Sequence, residues 1–267
     1  MPVPAALIER LQSRVGENAV LSKAADLKLY EYDGGVDRNL PELVVFPQTT
    51  DDVIAIVKAA GEFNVTIVGR GAGTGLSGGS IARAGGIVIS FARMNKILEI
   101  DIENERAVVQ PGVVNLDITL AVQPFGYFFA PDPSSQRACT IGGNVSENAG
   151  GPHTLAYGVT TNHVVSLEVV LPDGTLLQIG DKEVDLPGYD LLGLLTGSEG
   201  TMVLVTKIGV RLMRQPETVK TMLAIFNTPE DAGNTVAELT ARQILPVALE
   251  MFDGPMIRMV EEATHAG

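Results

Sequence analysis

The chain is 267 residues long and carries 32 acidic against 19 basic residues, a net charge of −13. At roughly 150 residues per domain, this is between one and two domains, and the 45% hydrophobic, 19% charged composition is that of a soluble globular chain, not a disordered one. The acidic balance, with no basic cluster to offset it, argues against nucleic acid as a partner.

Residues Ala5–Val15 alternate apolar and charged positions at helical spacing and predict a surface helix. Glu9, Arg10 and Arg14 interrupt the first twenty residues, which therefore read as neither a signal peptide nor a membrane span, and no later segment reaches the roughly 18 apolar residues a span needs. Glu42–Phe46 predicts a buried strand. Thr50-Asp51-Asp52 supplies cap-type residues for an amphipathic helix running to Asn64, and Val65–Val68 predicts a second strand. This strand–helix–strand unit favours parallel pairing with a right-handed crossover.

Gly69, Gly71, Gly73, Gly75, Gly78 and Gly79 then form a glycine-dense loop before a third strand, Gly86–Phe91. Lys96–Ile102 with Arg106–Gln110 predicts a hairpin, and Leu116–Val122 a helix. Val164–Leu171 and Thr175–Ile179, joined by Pro172-Asp173-Gly174, predict a second hairpin. Val203–Leu212 is another strand. A boundary is expected near Arg214–Glu217. Beyond it, Thr221–Phe226, a helix from Pro229, a strand near Val247–Met251 and a helix from Pro255 read as the opening of a second αβ domain that the chain does not complete.

The glycine loop is the most informative stretch. Glycines let a backbone turn with positive φ and approach a ligand closely, and successive N–H groups make an anion nest. Thr74, Ser77 and Ser80 add hydroxyls, so a phosphate or pyrophosphate is the natural guest. Gly73–Gly78 matches G-x-G-x-x-G, but Ser80–Gly85 is too short for the helix a Rossmann site needs, and the residue about 20 on is Arg93, not an acid. No G-K-[ST] occurs, which excludes a P-loop. Pro131–Ser135, Thr140–Asn144 and Asn148–Gly151 read as polar and glycine-rich loops, and Gly197–Thr201 precedes a strand. They offer hydroxyl, amide and backbone donors and hardly any titratable groups, a composition for gripping a large polar cofactor. Each by itself is also compatible with ordinary turn chemistry.

The lone cysteine, Cys139, excludes an intramolecular disulfide and a cysteine zinc site, and fits a reducing compartment. It reads as a small packed residue, since no base partner is evident. His153, His163 and His265 lack metal-ligand spacing, so no metal site is expected. His153 reads as a solvated loop residue and His163 as one satisfied by backbone. Arg70 pairs either with a phosphate or with a nearby acid.

Taken in order, Val68–Leu76, Ala130–Ser135, Thr140–Asn144, Asn148–Gly151, Tyr157–Thr160 and Gly197–Thr201 resemble the FAD-binding domain of the p-cresol methylhydroxylase/vanillyl-alcohol oxidase type. Within it, the sequence is most similar to the glycolate oxidase flavin subunit and FAD-linked D-lactate and D-2-hydroxyglutarate dehydrogenases. The resemblance covers about residues 40–215. It implies an α+β fold, with two subdomains (about 1–93 and 94–215) holding FAD between them, and residues 216–267 as the start of a substrate or cap domain. It implies that Arg70, Gly71, Ala72, Gly73, Thr74, Gly75, Leu76 and Ser77 wrap the pyrophosphate. Pro131, Ser134 and Ser135 line the flavin side. Thr140, Gly142, Gly143, Asn144, Asn148, Ala149 and Gly150 continue the contacts, Gly158 closes a tight approach, and Glu199, Gly200 and Val205 touch the cofactor through backbone. Two departures bear on this. Val203 stands where the family more often has glycine, and Thr74 stands where covalent members have a histidine, so the FAD is expected to be non-covalent.

The implied activity is oxidation of a small 2-hydroxy acid of the glycolate or D-lactate type, with an electron acceptor or partner subunit. The implied placement is cytoplasmic, or peripheral to a membrane within a larger complex. The catalytic groups are expected beyond Gly267, so this stretch alone is expected to bind FAD without turnover. A nucleotide-binding module without catalysis and a related FAD-dependent reductase are the alternatives.

Overall fold

The computed structural model describes residues 3–180 and 188–265. Helix α1 (Ala5–Val15) follows the predicted limits and turns Leu7 and Leu11, one turn apart, into the core. Strand β1 (Val20–Leu21), helix α2 (Ala24–Leu27) and strand β2 (Leu43–Val45) lead to helix α3 (Thr50–Glu62), which packs on α1. The N-cap is Thr49, one residue before the expected cap. Its hydroxyl accepts from the Asp52 N–H, and the Asp52 carboxylate accepts from the Thr49 N–H.

Strands β3 (Ile67–Arg70) and β4 (Ile87–Ser90) complete a four-stranded sheet in the order β1-β2-β4-β3. The strand–helix–strand unit is parallel as expected, but β2 and β3 do not pair. β4 lies between them, parallel to both. Every residue of β4 is buried, whereas β3 is half-buried and ends in Gly69-Arg70. A strand apolar on both faces takes the centre, and the one carrying a glycine and a cation takes the edge.

A second sheet is antiparallel throughout, in the order β5-β6-β10-β8-β9, from β5 (Ile97–Asp101), β6 (Arg106–Val109), β8 (Val164–Val170), β9 (Leu176–Ile179) and β10 (Leu204–Arg211). Between β6 and β8 run α4 (Asn115–Val122), β7 (Tyr127–Phe128), α5 (Ile141–Glu147) and α6 (Thr154–Tyr157), and α7 (Leu191–Leu195) precedes β10. Ile118 and Val122 of α4 and Ile141 and Val145 of α5 close the second core over Val109, Leu167 and Ile208. Strand β11 (Met213–Arg214) pairs with β7.

The two cores meet where Val170 and Leu204 of the second sheet pack into the first. A polar clamp lies nearby. Glu168, on β8, accepts from the Thr50 hydroxyl at 2.7 Å, the Thr206 hydroxyl at 2.9 Å and Lys207 Nζ at 2.7 Å. Burial opposes its ionisation, but the bonds from Lys207, Thr50 and Thr206 outweigh it and hold the carboxyl below its ordinary pKa.

Helices α8 (Pro229–Ala241) and α9 (Gly254–Thr264) form where expected, capped by Thr228 and Asp253. The strands expected at 221–226 and 247–251 do not form: both stretches are exposed and unpaired. An extended segment becomes a strand only when another strand takes its backbone N–H and C=O groups, and among the described residues none lies beside these.

Candidate functional site

One cleft gathers the glycine loop, the start of α5 and the turn before β10, with about 1000 Å³ of space continuous with solvent. Arg70 ends β3 with its guanidinium 5.6 Å from the Tyr30 ring and bonded to the Ser80 hydroxyl at 3.2 Å. It is 6% exposed. Burial lowers its pKa against the opposing charge of Asp33, and it has no direct carboxylate partner among the described residues. Of the two sequence alternatives for Arg70, the nearby acid is not met among the described residues, since Asp33 acts on it only through its charge.

The loop folds around this cation. Gly73 has φ +69°, and a Cβ there would overlap the Arg70 guanidinium, so the position needs glycine for both reasons. Asp33 clips the loop from outside. Its two oxygens accept from the Gly35 N–H at 2.7 Å and the Gly78 N–H at 2.9 Å, while the Gly34 N–H donates to the Gly75 carbonyl at 2.9 Å. Sequence reasoning missed Asp33. Its only signal is an Asp-Gly-Gly turn, and its partner lies 45 residues on.

Thr140–Asn144 was expected to be a loop and instead opens α5. Gly142 and Gly143 lower helix propensity, but Ile141 and Val145 gain burial in the second core. Gly142 also permits a close approach, since a Cβ there would lie 2.7 Å from Pro111 Cβ. Thr140 sits at the N-cap but its hydroxyl caps nothing: Oγ1 is buried without a hydrogen-bond partner, beside Gly71 and Gly143. Asn144 accepts from Asn115 Nδ2 at 2.9 Å and donates to Cys139 Sγ at 3.4 Å, and Asn115 also holds the Pro131 carbonyl at 3.0 Å. Cys139 is buried, the small packed residue expected.

Glu199 adopts φ +55° between Gly197 and Gly200, both also at positive φ. The Gly197 and Glu199 N–H groups donate to the Val145 and Ser146 carbonyls, docking this turn on the end of α5.

Of the residues singled out from sequence, Arg70 to Gly75, Ser135, Thr140, Gly142, Gly143, Asn144, Ala149, Glu199, Gly200 and Val205 line the cleft. Pro131, Ser134, Asn148, Gly150 and Gly158 do not. Asn148 (φ +49°) ends α5 and accepts from the Thr161 N–H, and a Cβ at Gly150 or Gly158 would strike Thr154 or Asn162. Leu76 points into solvent and Ser77 bonds Glu147. Gly79 and Pro133, from loops named in the sequence, also line the cleft, whereas Pro111, Ser146 and Glu147 do so without having been foreseen.

His163 bonds the Tyr157 carbonyl at 2.8 Å, as expected, and burial lowers its pKa. His153 lies outside the cleft lining and is partly solvated as expected, its side chain 43% exposed, and its Nδ1 also lies 2.5 Å from Asp132 Oδ2. Among the described residues, no group of three or more His, Cys, Asp or Glu is placed to hold a metal ion, and no helix is long and apolar enough to cross a membrane.

Residues 41–180 match the family described as FAD binding domain, and residues 215–267 match the C-terminal domain of FAD linked oxidases. The glycolate oxidase subunit GlcD of Bacillus subtilis is 44% identical over 90% of this chain and 51% of its own length. The D-lactate dehydrogenase of Archaeoglobus fulgidus is 40% identical over 83% of this chain and 50% of its own. The chain spans about half the length of the curated relatives it matches. The crystal structure of p-cresol methylhydroxylase with substrate bound aligns with a TM-score of 0.78 at 21% identity, covering 98% of this chain and 58% of the other, and shows the shared fold.

Proposed function

The chain belongs to the FAD binding domain family, and from that premise we propose that it is the FAD-holding part of a flavin-dependent oxidoreductase that oxidises a small 2-hydroxy acid. Residues 1–215 are the FAD-binding domain, with subdomains at about 1–93 and 94–215, and 216–267 begin the substrate or cap domain. FAD supplies the hydride acceptor. The backbone N–H groups of the loop from Gly71 to Gly75 face a pyrophosphate, Arg70 provides the cation, and Thr140, Asn144 and the Glu199–Val205 stretch hold the rest of the cofactor. An electron acceptor or partner subunit takes the electrons onward.

The observation that carries this reading is Thr140 Oγ1, a buried hydroxyl with no partner inside the cleft. A polar atom without a partner costs stability unless a ligand satisfies it. Thr140→Val is therefore expected to leave the thermal midpoint of flavin-free protein unchanged or raised, while weakening FAD about three- to tenfold, the worth of one neutral hydrogen bond. Thr140→Ser restores the affinity. A Val variant with wild-type affinity for FAD overturns the assignment. The reaction is tested with flavin-loaded protein that carries a complete substrate domain, by anaerobic mixing with glycolate, D-lactate or D-2-hydroxyglutarate: bleaching of the flavin band supports the proposal, and no bleaching by any of them removes the hydroxy-acid assignment.

The flavin is bound without a covalent link. Thr74 stands at the loop position of the linking histidine, and among the cleft-lining residues Cys139 is the lone His, Cys or Tyr, its sulfur turned to Asn144. Acid precipitation is expected to release all the flavin to the supernatant. Yellow colour left in the pellet contradicts this.

A further inference from the structure

The cleft that would hold a dianionic pyrophosphate carries one cation, Arg70, against three carboxylates, Asp33, Glu147 and Glu199. Asp33 is already engaged, each oxygen taking a backbone N–H. Glu199 is fixed through its backbone N–H. Glu147 is placed differently. Its Oε1 lies 3.1 Å from where a Cβ of Gly79 would stand and 3.9 Å from that of Gly75, against the loop itself. Its one hydrogen bond is a 3.4 Å contact from the Ser77 hydroxyl, and among the described residues no cation pairs with it.

Resting on the FAD reading of this cleft, we propose that Glu147 makes cofactor retention proton-linked: ionised, its carboxylate opposes the pyrophosphate held by the glycine loop; protonated, it does not, so FAD binds more tightly as pH falls. The charged groups facing Glu147 are Glu199 on the turn before β10 and Asp33 on the segment clipping the loop, while the loop itself presents the uncharged Ser77. Burial first, then the Glu199 charge, raise the Glu147 carboxyl above its ordinary value, with the Ser77 bond acting against them. A bound dianion raises it further. Binding then takes up a proton, and affinity grows as pH drops through the carboxyl's range and levels off above it.

The test is to strip wild-type protein and the Glu147→Gln variant of flavin and titrate each with FAD, following flavin fluorescence, between pH 5 and 8.5. Wild-type affinity is expected to rise toward low pH. E147Q keeps the shape and the Ser77 contact but lacks the charge. It is expected to bind on the order of tenfold tighter than wild type at pH 8.5, the effect of one nearby like charge in a partly screened site, with a flatter pH profile. Circular dichroism checks its fold, and Glu147→Ala gives a second variant expected to act in the same direction. Weaker or unchanged binding by both variants at pH 8.5 overturns the inference and leaves the FAD reading standing. Failure of wild-type protein to bind FAD at any pH overturns both.

Discussion

Gly73→Val is expected to yield protein without flavin. The backbone at Gly73 has φ +69°, a conformation that costs an ordinary residue about 1–2 kcal/mol and a β-branched one more. The added side chain also lands on the Arg70 guanidinium. Either the loop unwinds from its left-handed turn, or Arg70 leaves the Ser80 hydroxyl and the Tyr30 ring. The first outcome removes the N–H nest and the second displaces the cation beside it. With about 1.5–3 kcal/mol for a hydrogen bond to a charged group added to the backbone term, FAD affinity should fall by at least ~100-fold, since each 1.4 kcal/mol is tenfold. The loop lies at the cleft surface, so both sheets should still form. Absorbance near the flavin band reports retention, and a thermal melt reports the fold. A variant that purifies with a full complement of FAD contradicts the assignment.

Glu168→Ala should be strongly destabilising although it lies outside the cleft. The carboxylate joins Thr50 of α3 to Thr206 and Lys207 of β10. Its removal leaves the Thr50 hydroxyl and the Lys207 ammonium without their acceptor where the two cores meet, while the Thr206 hydroxyl keeps only the Glu168 backbone carbonyl at 3.2 Å. At about 1–3 kcal/mol for each buried group left unpaired, and with Lys207 half-exposed and so contributing least, a loss of about 2–4 kcal/mol is expected. Glu168→Gln should lose less. The sign with pH follows from the carboxyl being held below its ordinary pKa when folded. Its stabilisation is complete above the unfolded value of about 4.3 and is lost as pH falls through the lower folded value. Denaturant unfolding of wild type and Glu168→Gln between pH 7 and 3 should therefore converge at the acid end. A constant gap across that range contradicts the clamp.

Much of this was legible in local sequence. Helix α3 and both hairpins follow from apolar periodicity, cap chemistry and the Pro172-Asp173-Gly174 turn, because each is decided by residues close in the chain. The glycine loop was legible for the same reason: a run of glycines after a strand is a local statement about backbone freedom. α5 was not, since Gly142 and Gly143 read against a helix, and it took the burial of Ile141 and Val145 to reverse them. The segments 221–226 and 247–251 erred the other way, having strand composition without a partner strand.

By itself, then, the sequence determined the element types over most of the chain, the glycine cradle and the resemblance to FAD-binding domains that the family match bears out. The three-dimensional arrangement was needed to show that β4 separates β2 from β3, that Asp33 clips the loop from 45 residues away, and that, among the described residues, Thr140 keeps an unsatisfied hydroxyl in the cleft and Glu147 faces the cradle without a counter-ion. The division has one physical cause. Periodicity, capping and φ preferences are properties of neighbours in the chain, whereas burial, hydrogen-bond satisfaction and charge balance depend on groups that the fold brings together from distant positions.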